Sequence, residues 1–282
     1  MSETDSRIVL WRNTIQLFHT YRKQNFQGPF YISDLTNYRV ESPLAEKKTG
    51  KTKTPDIFAC GSRGWLVIEL TCDGSSKKVQ LDTYKNLDSR SLSTYGCSAY
   101  PLPPDTMSSR LSFNNDGDHC QMVVKDKFDV KNEQFIQDSV LRNALSNMVG
   151  TDLKRLPEIP LNLVPEMKNF EIRRGLIDIV LQLFDSKSKG KTPYQMCEEG
   201  LERLFNLVPQ SSKQSLIDKI KQEMDVLISH DLSGYLEFRD GKYQLTEKFR
   251  AYPKSRAVVA MKLKEWANPS QRTIADYGSH TD

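Results

Sequence analysis

Along the chain the period of the hydrophobic positions changes several times, and each change marks an element. Ile8, Trp11, Ile15 and Phe18 recur at near-helical spacing within "RIVLWRNTIQLFHTYRKQ", which predicts an amphipathic helix over 7–24 that packs on a core. Gly28-Pro29 breaks it. After a polar, lysine-rich stretch come two strand candidates, "DIFACG" and "WLVIELT", joined by the turn "SRG". The second is a nearly continuous β-branched and aromatic run, the pattern of a strand buried on both faces. Beyond "CDGSS", where Ser75 or Ser76 can cap, Val79, Leu81, Tyr84 and Leu87 predict another helix. Weaker strand signals lie at 109–113 and 120–128 around the turn-rich "NNDGD". Helices alternating with strands predict an α/β layer built on a mixed sheet.

From about residue 133 the pattern becomes helical. "NEQFIQDSVLRNALSNMV" predicts a helix, and the three prolines of "LPEIPLNLVPEM" mark a linker or boundary. Ile172, Leu176, Ile179, Val180 and Leu183 then form a strongly periodic apolar stripe. "TPYQMCEEGLERLFNLV" opens with Thr192 as N-cap and Pro193 in the first turn. "SSKQSLIDKIKQEMDVLISHD" predicts a third helix. Asp240-Gly241 then sets a hairpin between one arm with Tyr235, Leu236 and Phe238 and another with Tyr243 and Leu245. "AVVAMKLKEWA" predicts a closing helix. Three helices followed by such a hairpin resemble a winged helix-turn-helix. The expected division is therefore 1–130, a helical linker over 131–168, a winged-helix-like domain over 169–268 and a tail over 269–282.

Composition narrows the class. With 282 residues, 38% hydrophobic and 27% charged, the chain reads as a globular protein of two ordinary domains. No apolar run reaches the ~20 residues of a spanning helix, so no membrane partner is expected, and "MSETDSRIVLW" lacks the pattern of a secretory signal, which makes the cytoplasm the expected address. The five cysteines form no CxxC pair. Their spacing suggests no structural zinc site and predicts reduced thiols. A net charge of +4 is a weak pointer to a polyanion. The densest basic patch is more telling: Lys47, Lys48, Lys51 and Lys53 precede Pro55-Asp56 and read either as a solvated loop or as a phosphate-contacting loop beside a site.

The candidate chemistry rests on two carboxylates. Asp56 opens the first strand of the hairpin and Glu69 lies near the end of the second. Strand alternation puts Glu69 on the face of Val67 and Thr71, opposite to Ile68 and Leu70. An acid within such a strand is costly unless a metal or a salt bridge holds its charge. Carboxylates converging from adjacent strands are ligands of the kind that Mg²⁺ takes.

Pro55-Asp56, the hairpin, Glu69-Leu70-Thr71 and a following helix with Gln80-Leu81, Tyr84 and Lys85 resemble the PD-(D/E)xK nuclease superfamily, with its restriction-endonuclease-like fold of a mixed sheet flanked by helices. The resemblance covers about 7–130. It implies that Asp56 and Glu69 bind Mg²⁺ or Mn²⁺, that the carbonyl of Leu70 joins them, and that DNA is the substrate of metal-assisted water attack. It further suggests a system of restriction, phage defence or mobile elements. Thr71 stands where the family has lysine, so the positive charge would come from Lys77, Lys78 or Lys85. The helix over 7–24 carries no acid, although a glutamate is common there in the family; Glu41 or Glu46 could substitute.

Two other readings stand beside the endonuclease. One is a non-catalytic DNA-binding or assembly subunit, with a degenerate nuclease fold, working with a protein partner; the other is a transcription regulator led by the winged helix. In the C-terminal part Lys213, Lys219 and Lys221 are diluted by Asp218, Glu223 and Asp225, whereas Lys242, Lys248, Arg250, Lys254 and Arg256 make the wing and the segment after it more basic. If this module meets nucleic acid, backbone contacts dominate; a protein-contact role is the other reading. A homodimer is also conceivable, since two copies commonly make a double-strand cut.

Overall fold

The computed structural model describes residues 3–45, 49–61, 64–70, 84, 107–111, 120–124, 126–136, 138–157, 159–165, 167–184, 188–250 and 256–267. The protein is mixed α/β and divides into two compact units, Met1–Ile159 with Leu207–Pro209, and Pro160–Asn206 with Gln210–Asp282.

In the first unit, α1 (Glu3–Gln16) buries Trp11 and Ile15. It stops well short of residue 24. Leu17 and Phe18 turn inward, and β1 (Thr20–Tyr21) pairs with β2 (Phe26–Gln27) through a turn that ends on left-handed Asn25. The expected helix over 7–24 is thus too long, because the apolar repeat continues through Phe18 while the chain has already left the helix. α2 (Pro29–Ile32) follows, with Pro29 in its first turn.

The next strands are β3 (Asn37–Val40), β4 (Leu44–Ala45), β5 (Thr52–Lys53), β6 (Ile57–Gly61), β7 (Gly64–Leu70), β8 (Met107–Leu111), β9 (Cys120–Val124) and β10 (Phe128–Lys131). β4 and β5 form a separate hairpin, and the others make a six-stranded sheet in the order β10-β9-β8-β7-β6-β3. β7 pairs antiparallel with β6 and parallel with β8, and all seven of its residues are buried. The single strand expected over 120–128 is instead the antiparallel pair β9–β10, in which Phe128 faces Val124. α1 is tied to the sheet where Asn13 Nδ2 donates to the carbonyl of Val124 at 2.7 Å. α3 (Ser139–Met148) belongs to this unit, and its first turn is capped by the Asp138 carboxylate, which accepts from Leu141 N at 2.8 Å. The helix expected from residue 132 starts only there; Glu133–Phe135 is a 3-10 turn.

In the second unit α4 (Asn169–Leu183) buries the expected stripe of Ile172, Leu176, Ile179, Val180 and Leu183. α5 (Pro193–Leu201) opens with a reciprocal cap: Thr192 Oγ1 accepts from Gln195 N at 3.1 Å and Gln195 Oε1 from Thr192 N at 2.9 Å. It ends at left-handed Glu202 rather than continuing to 208. α6 (Gln210–Ser229), β11 (Leu236–Arg239), β12 (Lys242–Leu245), α7 (Glu247–Arg250) and α8 (Arg256–Ala267) complete the described part. Asp240 and Gly241 both have positive φ, the geometry that a two-residue hairpin turn needs. The main chain of Lys191, between α4 and α5, bridges antiparallel to Tyr243 on β12. Tyr243 is fully buried and donates to Asp225 Oδ1 at 2.7 Å; burial and that bond both raise its pKa. Arg173 Nε meets the buried Glu223 Oε2 at 2.5 Å, with its guanidinium 5.7 Å from the Trp266 ring.

The expectation of reduced thiols is corrected at one residue. Cys60, on β6, is disulfide-bonded, with a partner outside the described residues. Cys120 and Cys197 are free and buried, and burial pushes both thiols up to about 12. Spacing alone misled because a disulfide depends on which strands the fold brings together.

Three outcomes are expected. In native protein at pH 8, iodoacetamide should modify Cys120 and Cys197 at least about tenfold more slowly than after unfolding, since the thiolate is the nucleophile. Non-reducing peptide mapping should leave Cys60 unlabelled even then. Gly61→Ala should destabilise the protein by about 1–3 kcal/mol in urea denaturation, because an added Cβ would sit 1.6 Å from the carbonyl oxygen of Asp34.

Candidate functional site

The β6–β7 register builds the site. It pairs Cys60 with Trp65, Phe58 with Val67 and Ile57 with Ile68, and just beyond that last pair come Asp56, the residue before β6, and Glu69 on β7. Side chains two residues apart share a face. Asp56 and Glu69 therefore continue the rows of Cys60–Trp65 and Phe58–Val67, which pack in one buried cluster with Leu44 and Tyr84. The apolar face of the hairpin ends in two acids.

Both are buried, Asp56 at 7% and Glu69 at 0% exposure. Each accepts from a neutral donor. Leu70 N donates to Asp56 Oδ2 at 2.5 Å, which locks the side chain of one strand to the main chain of the next. The Tyr84 hydroxyl donates to Glu69 Oε1 at 2.7 Å. Bonds to an ionised acceptor are stronger than neutral ones, and these offset part of the desolvation of each carboxylate. On the other flank, Glu41 N donates to the carbonyl of Asp56 at 3.0 Å. Glu41 is itself buried and has a φ of 46°, so the chain turns sharply just past β3. In the other direction Glu69 stands in register with Arg110 on β8.

Of the sequence-predicted residues, the fold brings Asp56, Glu69 and Leu70 together. Lys53 lies half-buried on β5, three residues before Asp56, and Lys51 is exposed beside it. Lys47, Lys48, Thr71, Lys77, Lys78 and Lys85 lie outside the described residues. Lys242 is half-buried on β12 in the second unit, and Lys248 and Arg250 are on α7. Lys213 and Lys219 turn to their own unit: Lys213 Nζ lies 4.3 Å from the Phe205 ring centre and Lys219 Nζ donates to the carbonyl of Met167 at 2.9 Å.

Sequence reasoning did not assign Tyr84 to Glu69. The available signal was a phenol on a core-facing stripe, which needs an acceptor once buried.

The donors of Asp56 and Glu69 are hard oxygens, which suit Mg²⁺ or Mn²⁺. Among the described residues no group of three or more His, Cys, Asp or Glu side chains is placed to hold a metal ion. A pair of carboxylates is nonetheless a sufficient protein contribution for Mg²⁺, whose remaining positions are filled by water and phosphate oxygen. Comparison of the chain with protein-family models, curated proteins and solved structures found no match. Among the described residues no helix is long and apolar enough to cross a membrane.

Replacing Tyr84 by Phe should cost about 1–3 kcal/mol of stability in urea denaturation, the penalty for a buried acceptor that loses its donor. In a Glu69→Gln background the same replacement should cost less, and equal costs in both backgrounds would show that the phenol does not serve Glu69.

Proposed function

We propose that the protein is a DNA-acting, metal-dependent endonuclease of the PD-(D/E)xK kind, working in restriction, phage defence or a mobile element. The observation that carries this reading is that Asp56 and Glu69 both lie at the end of a buried strand pair, each carboxylate accepting from a donor of its own. A mixed sheet with a fully buried central strand supports the same reading. Asp56 and Glu69 would hold Mg²⁺ or Mn²⁺, with the carbonyl of Leu70. A divalent ion bound there would polarise the scissile phosphate and activate water. Leu70 N and Tyr84 keep the two carboxylates in place for that ion and for the phosphate it meets. The positive charge that Thr71 cannot supply is assigned to Lys77, Lys78 or Lys85, and the loop containing Lys51 and Lys53 to contacts with the DNA backbone.

The second unit is read as a winged-helix module. Its order of helix, bridging residue, two helices and hairpin, with Lys191 bridged to Tyr243, supports this. Lys242, Lys248 and Arg250 would meet phosphates there. Lys213 and Lys219 are occupied within the unit, so its third helix is a weaker candidate for a phosphate-binding face.

A second reading is a non-catalytic DNA-binding or assembly subunit that keeps the fold and leaves the chemistry to a partner. The complete burial of Glu69 against Tyr84 favours it, because a ligand of a solvated ion needs access to water.

Incubation with supercoiled, linear and single-stranded DNA in Mg²⁺ or Mn²⁺ separates the two. The endonuclease reading expects cleavage that falls on the order of 100-fold or more in both Asp56→Ala and Glu69→Ala. DNA retained equally by all three proteins without cleavage would leave the assembly subunit.

A further inference from the structure

The first unit contains a cleft of about 860 Å³ that shares no lining residue with the Asp56–Glu69 pair. Its size is that of small-ligand sites. One wall is a single stripe of α3, where Val140, Asn143, Ala144, Asn147 and Met148 recur at helical spacing. The facing wall is the β1–β2 turn, Gln24 to Gln27, and the end is closed by the segment 150–156 with Lys127.

The lining has a particular chemistry. Five carboxamides converge on it, those of Gln24, Asn25, Gln27, Asn143 and Asn147. All five are exposed, and each offers both donors and an acceptor. Between them lie the buried apolar side chains of Phe26, Met148 and Leu156. The more accessible apolar surface of the lining is that of Ile32, exposed, and Val140, half-buried. At one end stand two cations. Arg155 Nε is 3.3 Å from Asp152 Oδ2, while the other oxygen of Asp152 accepts from Lys154 N at 3.0 Å; Lys127, exposed, is bridged to Asp152 through its main chain. Asp152 is thus shared between a turn and Arg155, and the two cations outnumber it.

Apolar surface for a flat ring, carboxamides for its polar edge and positive charge to one side make up the complement of a nucleotide. A neutral sugar would leave the cations unused, and a paired base has its hydrogen-bonding edge occupied, so a duplex would leave the carboxamides unused. We propose that this cleft binds an unpaired nucleotide of a nucleic-acid strand, its base against Ile32, Val140 and the carboxamides and its phosphate at Lys127 and Arg155. The cleft would let the protein hold single-stranded or locally opened nucleic acid. Nothing in this depends on metal binding by Asp56 and Glu69, so cleavage can fail while the cleft stands.

The test is fluorescence polarisation of the full chain with labelled twelve-nucleotide oligo(dT) and oligo(U), and with a duplex of equal length, all in EDTA. Single strands should bind more tightly than the duplex, and the ratio of the two oligomers tells DNA from RNA as the source. Asn143→Ala with Asn147→Ala should weaken single-strand binding on the order of tenfold. Lys127→Ala should lower the slope of log K against log salt by about 0.7. The replaced side chains are exposed, and an unaltered thermal transition checks that the variants fold. Photo-cross-linking with an iodouracil oligonucleotide gives an independent readout and should label peptides within 20–32 or 139–156. Absence of single-strand binding, equal binding by the cleft variants, or cross-links confined to other peptides would each overturn the proposal.

Discussion

The antiparallel pairing of β6 with β7 is the constraint on which the described part of the first unit depends. It sets the alternation on both strands at once, so that Phe58 and Cys60 lie beside Val67 and Trp65 in a single buried cluster and the next row outward is Asp56 and Glu69. A slip of β6 by one residue would turn Asp56 to the face opposite Glu69 and break up the cluster. The bond from Leu70 N to Asp56 Oδ2 opposes such a slip, since it joins a side chain to a main-chain position that only this register supplies. On the other side of β6, its pairing with β3 brings Gly61 against the Asp34 carbonyl, where the missing Cβ lets the two segments touch.

Two carboxylates in an apolar row are energetically unfavourable unless each has donors. A peptide N–H donates to one and a phenol to the other. The metal-dependent reading rests on the two carboxylates themselves, whose hard oxygens suit a divalent cation. The same bond to Tyr84 fixes Glu69 deep in the unit, the feature that keeps the assembly-subunit reading in contention.

In the second unit the polar network serves packing. Arg173 joins the buried Glu223 and lies by Trp266, and Tyr243 ties β12 to α6 through Asp225. Lysines that look free in the sequence are committed: Lys191 to Glu199 and Gln182, Lys213 to Phe205 and Lys219 to Met167. Charge counted along a helix therefore overstates what the helix presents to a partner.

The features legible in the residues alone are local ones. The continuous run of "WLVIELT" predicted a central strand, Asp240-Gly241 a hairpin turn, Thr192-Pro193 a helix start and the Ile172–Leu183 stripe a buried helix face, because each arises from the backbone preferences and periodicity of neighbouring residues. Asp56 and Glu69 were legible as a pair because alternation on a hairpin is also local. The end of α1 was not, since Phe18 is buried by packing whether or not the chain is helical there. It took the packed fold to establish that Tyr84 reaches Glu69, that Cys60 is in a disulfide, and that α3 and the β1–β2 turn line one cleft with carboxamides. The Tyr84–Glu69 bond and the cleft join separate elements, and their approach is set by how strands and helices pack, which no pattern within a short window contains.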